Sequence, residues 1–334
     1  MSTASGSRLL DLLGIDLPII QAPMAGATTP DMVIAVSEAG GLGSLPSALY
    51  TEVDLRAAMD RVRAGTRRPI NLNFFCHANP ADDAARQAAW LTRLAGYYAE
   101  AGLDPNMPKA PSGRSPFDAA ACAVVEAYRP EVVSFHFGLP PAPLLDRVKR
   151  AGAKVLASAT TVAEARWLAD RGVDAVIAMG SEAGGHRGSF LTEDMSEQVG
   201  TFVLVPQIVD AVSVPVIAAG GIADRRGVAA AFALGAAAVQ VGTAYLFTPE
   251  AKISEVYRKS TRPTGPRRSP ICSPAGAGHR QSPDGGSRPA VRSRPRVSDS
   301  RRRSGAAAQC CRVREAGAHA RRRPGYGTAA RGPG

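Results

Sequence analysis

Over roughly the first 258 residues, short apolar runs alternate with longer Ala/Leu/Arg-rich stretches whose apolar positions recur at helical spacing. Eight runs read as strands, at residues 19–21, 42–45, 70–74, 132–135, 154–158, 175–178, 216–218 and 238–241. Most are apolar on both faces, as parallel strands covered on each side must be; a half-exposed strand would alternate instead. Stretches 54–64, 163–171 and 225–234 read as helices, with Thr51 and Thr161 where N-caps belong and Gly65, Gly172 and Gly235 where helices should stop. Eight such units predict an α/β fold of the (β/α)8 TIM-barrel type. The third unit, 75–131, is too long for one crossover. A small helical insertion around 76–131, with a helix over 82–101, is therefore expected to form part of a lid-like subdomain.

Beyond residue 258 the pattern stops. Residues 261–334 contain 11 Gly and 9 Pro, no Leu, Phe, Met or Trp, and only Ile271 and three Val as aliphatic core material. Such a segment cannot bury enough apolar area to offset a chain entropy of about 1–2 kcal/mol per residue, so the sequence predicts a disordered tail over 259–334. Charge divides at the same place. The chain carries a net +11, but the last 74 residues hold 17 Arg, no Lys and three acids, a balance of +14 that leaves residues 1–260 at −3. The basic character belongs to the tail, and the part able to fold gives no ground for reading a nucleic-acid binder.

The longest nearly apolar stretch, 228–239, is about a dozen residues, short of the roughly 20 a membrane span requires. Asp11 and Asp16 interrupt the apolar N-terminus, so no signal-peptide core can be drawn. Of five Cys only Cys76 and Cys122 lie in the acidic part, and none of the five stands at metal-ligand spacing. A cytoplasmic protein without a metal centre is the expectation.

Active sites of such barrels sit at the C-terminal ends of the strands, and the unusual residues of this chain fall there. They are QAPMAG from Gln21, the glycines at 40, 41 and 43, NLNFFCH from Asn71, SFHFG from Ser134, GSEAGGHRG from Gly180, GGI from Gly220 and QVGT from Gln240. Glycine turns after strands seven and eight suit a phosphate, because backbone N–H groups can converge with no side chain in the way, and Thr243 adds a hydroxyl. No GxGxxG or GxxxxGK[ST] motif follows a strand, which leaves a Rossmann site or a P-loop without support. Glycines on both sides of His186 let a flat ligand approach while exposing one imidazole, which makes His186 the candidate general base. His136 reads either as a substrate contact or as a hydrogen-bonded strand-end residue, and His77 as supporting. His279 and His319, in the tail, are assigned nothing.

Together these segments resemble the nitronate monooxygenases, formerly 2-nitropropane dioxygenases, over about residues 8–258. The flavin-type enoyl-acyl carrier protein reductases and NAD(P)H:quinone reductases share the barrel and its phosphate glycines, but EAGGHRG and SFHFG look more like the nitronate enzymes. The resemblance implies FMN as cofactor, with Ala22, Pro23 and Met24 along the flavin ring, Asn73 at its edge and Gly184 beside it. Gly221, Gln240, Val241, Gly242 and Thr243 would hold the ribityl phosphate. Met179 stands where the family more often has Gln, and a thioether donates no hydrogen bond. The implied reaction oxidises an alkyl nitronate, propionate 3-nitronate by family resemblance, with O2 to a carbonyl compound and nitrite. His186 would be the base.

The tail permits two further readings. Its Arg residues could bind nucleic-acid phosphates, although Arg without Lys or interleaved aromatics is poor support. Its composition also matches a GC-rich gene read out of frame from near Arg258 to Thr264. Residues 274–282 can be written in permitted codons, mostly those of a GC-rich gene, that, shifted by one base, spell RPARGIVN, a string resembling the C-terminal segment of the same family.

Overall fold

The computed structural model describes residues 2–79, 83–104 and 115–260. The tail beyond residue 260, with the readings attached to it, and the start of the expected 82–101 helix at Asp82 lie outside these residues.

Helix α1 (Ser2–Leu13) precedes the barrel, which alternates β1 (Ile19–Gln21), α2 (Pro30–Glu38), β2 (Gly43–Pro46), α3 (Glu52–Gly65) and β3 (Ile70–Phe75). The third crossover carries α4 (Ala84–Glu100) and α5 (Ala119–Tyr128), followed by β4 (Val132–His136), α6 (Ala142–Arg150), β5 (Lys154–Ala159), α7 (Val162–Asp170) and β6 (Ala175–Met179). Then come α8 (Thr201–Ala211), β7 (Val216–Ala219), α9 (Arg225–Ala233), β8 (Ala238–Val241) and α10 (Glu255–Ser260). All strand pairings are parallel, in the order β1-β8-β7-β6-β5-β4-β3-β2. The Ile20–Leu42 bridge, with Gln21 N donating to Leu42 O at 2.9 Å and Leu42 N to Ile19 O at 2.9 Å, brings β1 against β2 and closes the ring. The expected TIM barrel is the observed fold.

Local signals acted where the sequence placed them. Thr51 Oγ1 accepts from Asp54 N, and Thr161 Oγ1 from Glu164 N. Gly172 and Gly235 adopt φ of +72° and +95°, the left-handed conformation that lets the chain leave a helix. Within the long crossover, α5 joins the barrel's helical shell through buried Cys122, Val124 and Val125. Helix α4 buries no residue among those described, and Trp90 and Tyr97 on it are 58% and 71% exposed.

Two cores follow from the strand alternation. Outward-facing residues such as Val133, Phe135, Val155 and Val176 pack under the helices. Inward-facing Ile20, Leu42, Val132, Leu156, Ile177 and Ile217 fill the N-terminal half of the lumen, where Leu9, Leu13 and Ile15 close it from below. No described helix is long and apolar enough to cross a membrane.

Candidate active site at the barrel mouth

Toward the C-terminal strand ends the inward positions turn polar. Asn71 Nδ2 donates to Ser44 Oγ at 3.0 Å and to Ser134 Oγ at 2.9 Å, and Asn73 Nδ2 donates to Ser134 Oγ at 3.0 Å. These bonds occupy the NH2 groups of two buried amides inside the barrel, and they turn the Nδ2 of Asn73 toward β4. Two side-chain oxygens here, Asn71 Oδ1 and Gln240 Oε1, are buried without a partner. Buried amide oxygens are nearly always paired, so Gln240 at the rim has an acceptor to offer.

His136 ends β4. Its Nε2 lies 3.2 Å from the carbonyl of His186 and its Nδ1 2.7 Å from Ser158 Oγ. A carbonyl can only accept, so Nε2 carries the proton and donates to it, while Nδ1 accepts from the Ser158 hydroxyl. Burial lowers the imidazole's pKa to about 4, which keeps it neutral near pH 7 and compatible with that tautomer. Both ring nitrogens of His136 are thus engaged by the protein itself. Gly188, at φ +79°, lies flat against the ring; a Cβ there would come within 2.2 Å of His136 Cε1.

His186 sits at the top of the loop following β6 and is exposed, as are Gly184 and Gly185 on its N-terminal side. Its ring lies 5.4 Å from that of Phe75 and 5.9 Å from that of Phe137. Phe75 and Phe137 meet edge to face at 5.3 Å, and His77 stands about 6 Å from both, so an aromatic wall borders the imidazole. Phe137 holds φ +67°, an uncommon conformation for a bulky residue and one that local packing must maintain.

The remaining residues singled out by the sequence share this mouth. Ala22 N donates to Val241 O at 2.9 Å, and a Cβ on Gly242 would touch Ala22 Cβ at 3.5 Å and Met24 Sδ at 3.8 Å, so the loops after β1 and β8 abut. Pro23 lies between them, half-buried, and Thr243 opens a short 3-10 turn over Thr243–Phe247. After β7, Gly220 and Gly221 adopt φ of +116° and +67°. A Cβ on Gly220 would sit 2.7 Å from Thr201 Oγ1 and 2.9 Å from Ala183 N, so only glycine fits. Met179 is buried at the end of β6, pointing into the lumen.

Three residues that hold this site were not singled out by the sequence. Arg187 folds under its loop, donating from Nη1 to Gly180 O at 2.9 Å and from Nη2 to Met179 O. Burial pushes its guanidinium pKa down, an effect opposed by the carboxylates of Glu164 and Glu182. Glu182 accepts from Thr201 N at 2.7 Å and Thr201 Oγ1 at 2.9 Å, joining the loop to α8. Glu164, fully buried in the first turn of α7, accepts four donors from two separate turns. A loop arginine and two scattered glutamates look like solvated charges in a sequence, and only Thr161 three residues before Glu164 gave a local signal, that of a capping box.

A parallel barrel with a polar mouth lined by glycine turns is the architecture of an enzyme acting on a small molecule. The nitronate monooxygenase family model matches residues 6–280. A nitronate monooxygenase from Paraburkholderia phytofirmans is 45% identical over 271 residues, covering 80% of this chain and 74% of that protein. Among solved structures, the nitroalkane oxidase from Streptomyces ansochromogenes is similar with a TM-score of 0.68 at 38% identity, over 77% of this chain and 73% of that one. FabK from Thermotoga maritima follows with a TM-score of 0.58 at 35% identity, over 76% and 67%. This chain belongs to the nitronate monooxygenase family of oxidoreductases.

Proposed function

We propose that this chain binds FMN across the barrel mouth and uses it with O2 to oxidise alkyl nitronates to a carbonyl compound and nitrite. Propionate 3-nitronate is the substrate that the family resemblance favours, and the cytoplasm the compartment that the cysteine usage favours. The residues present fit the cofactor. Gln240 has a buried, unpartnered amide oxygen able to accept from a ribityl hydroxyl, and a Cβ on Gly184 would meet nothing within 4 Å, so the loop there leaves room for a flat ring. Gly221, Gln240, Val241, Gly242 and Thr243 would hold the ribityl phosphate, Ala22, Pro23 and Met24 would line the ring, and Asn73 and Gly184 would border it. Met179 adds no donor, so water would take the place of the amide more usual there. When bound, FMN supplies the one-electron chemistry with oxygen that no side chain offers.

The protein's own part is positioning and proton transfer. A nitronate arrives as an anion and needs no base. A neutral nitroalkane must first lose its α-proton, which His186 would take onto its ring. Phe75 and Phe137 exclude water on one side of that ring, and neutral His136 fixes the His186 carbonyl. The observation that carries the reading is the meeting, at one barrel mouth, of glycine turns after β7 and β8 with the glycine-flanked loop bearing His186.

His186→Asn is the test. Turnover of neutral nitroalkanes should fall about 10²-fold or more, the scale of general-base catalysis, with a much smaller loss on preformed nitronate. Equal losses would remove the base role. Heat-released cofactor should chromatograph as FMN; FAD, or soluble protein that takes up no flavin, would overturn the cofactor assignment. NADH-driven reduction of quinones or enoyl thioesters would move the chain to the reductase reading. For the last 74 residues we propose an out-of-frame origin, which resequencing with mass spectrometry of a tail peptide decides. An unbroken frame would return the Arg-rich segment to the nucleic-acid reading, tested by a salt-dependent gel shift.

A further inference from the structure

The loop from residue 180 to 191 is exposed where it matters most, at Gly184, Gly185 and His186, yet it is braced along its length. Two of the braces start at the C-terminal end of β5. One runs from Ser158 through His136 to the His186 carbonyl. The other is Glu164. Its Oε2 accepts from Thr160 N at 2.6 Å and Thr160 Oγ1 at 2.8 Å, while its Oε1 accepts from Phe190 N at 2.7 Å and Leu191 N at 3.3 Å. One carboxylate with no solvent exposure therefore links the turn that follows β5 to the far end of the loop that carries His186.

The bonding pattern differs from helix capping. In a capping box the carboxylate at the third helical position reaches back to the N–H of the cap residue, here Thr161. Glu164 instead bonds Thr160, one residue earlier, with one oxygen and leaves the other free to cross to Phe190 and Leu191. A buried carboxylate is costly unless every lone-pair direction is used, and four donors converge on this one. Arg187 in the same loop is half-buried, with its Nε buried and unpartnered, and Glu164 and Glu182 favour its charge through space.

We infer that Glu164 is a positioning residue for the reaction: by tying residues 190–191 to the end of β5 it sets the height and orientation of His186 over the barrel mouth. This rests on the reading of His186 as the base for neutral nitroalkanes. The ring of His186 lies edge-on to those of Phe75 and Phe137, and where it meets them depends on the course of its backbone. His136 fixes one point of that backbone and Arg187 ties the next residue to the end of β6, but both hold the loop on the side of β4 and β6, and neither holds its far end against β5. Glu164 does, four residues further on.

The test is Glu164→Gln in the full chain, which keeps volume but places an NH2 where one pair of donors now points. Amide hydrogen exchange of residues 186–191 should quicken at least about 10-fold while exchange in β6 stays unchanged. Turnover of a neutral nitroalkane should fall about 10- to 100-fold, the penalty for a displaced reacting group, with KM and turnover of preformed nitronate much less affected. If Glu164→Gln yields no folded protein, Glu164→Asp keeps the charge but is too short to reach both turns, and should show the same two changes. Unchanged exchange at 186–191 would overturn the inference. So would equal losses on nitroalkane and nitronate in Glu164→Gln while His186→Asn still discriminates between them. Equal losses in His186→Asn itself would refute the base role and with it the aiming role of Glu164, even if the exchange arm still showed the brace.

Discussion

The two halves of the barrel lumen share one ring of strands and differ in the kind of side chain they turn inward, mostly apolar below and mostly polar above. Near the N-terminal ends, Ile20, Leu42, Val132, Leu156, Ile177 and Ile217 pack with Leu9, Leu13 and Ile15 into a dry plug. Two residues further along the same strands stand Ser44, Ser134 and Ser158, with Asn73, His136 and Gln240 at the rim. A shift of two positions keeps the side chain on the same face, so β4, β5 and β8 each carry both instructions in one alternating register, whereas β3 turns only Asn71 and Asn73 inward and β6 and β7 stay apolar through Met179 and Ala219. Folding strength and chemistry are thereby separated along the barrel axis, and a change in one half should leave the other largely intact.

Leu156→Ala breaks the lower half, and it should have the largest effect. A fully buried leucine in a closed plug leaves a cavity, and denaturant unfolding should show a loss of about 2–5 kcal/mol, with turnover of the remaining folded protein near normal at 25 °C. Acid is the next lever, acting on the upper half. The folded His136 has a pKa of about 4 against an ordinary 6.5, so between these values the unfolded chain binds the extra proton. Its contribution is complete above pH 6.5 and falls as pH drops toward 4, by up to about 3 kcal/mol, an order-of-magnitude figure. Unfolding curves at pH 7 and pH 4.5, compared between the parent and His136→Gln, should show a steeper acid loss in the parent.

Ser158→Ala sharpens the contrast. It removes the hydroxyl that donates to His136 Nδ1, at a cost of about 1–2 kcal/mol at pH 7, and by weakening the neutral form it should raise the histidine pKa and shrink the acid-dependent loss. The smallest effect lies outside both halves. Trp90→Ala on α4 should change unfolding free energy by about 0.5 kcal/mol or less, since that side chain is 58% exposed and its helix buries nothing among the described residues.

Most of the barrel could be read from the chain because βα units are local. Apolar runs marked the strands to within a residue or so, and Thr51, Thr161, Gly172 and Gly235 punctuated the helices through bonds made within a few residues. The glycines of the site were legible for the same reason: a residue required by its own φ or by a close neighbour leaves a signature at its own position. The supports were not. Ser158 acts on a strand 22 residues earlier, and Glu164 on a turn 26 residues later. Nothing in the spacing of Arg187 reveals that its guanidinium turns inward to strand-end carbonyls. Phe137 carries no sequence mark of its left-handed backbone, and the wall it makes with Phe75 emerges only when two strand ends meet.

The plug that α1 sets beneath the barrel also has a kinetic meaning. A lumen stoppered at one end is a cul-de-sac, so traffic at the mouth must share one doorway in both directions. A product lingering there bars the next arrival, and an inert compound wide enough to span the Phe75, Phe137 and His186 rim would compete with substrate entry and slow product departure together.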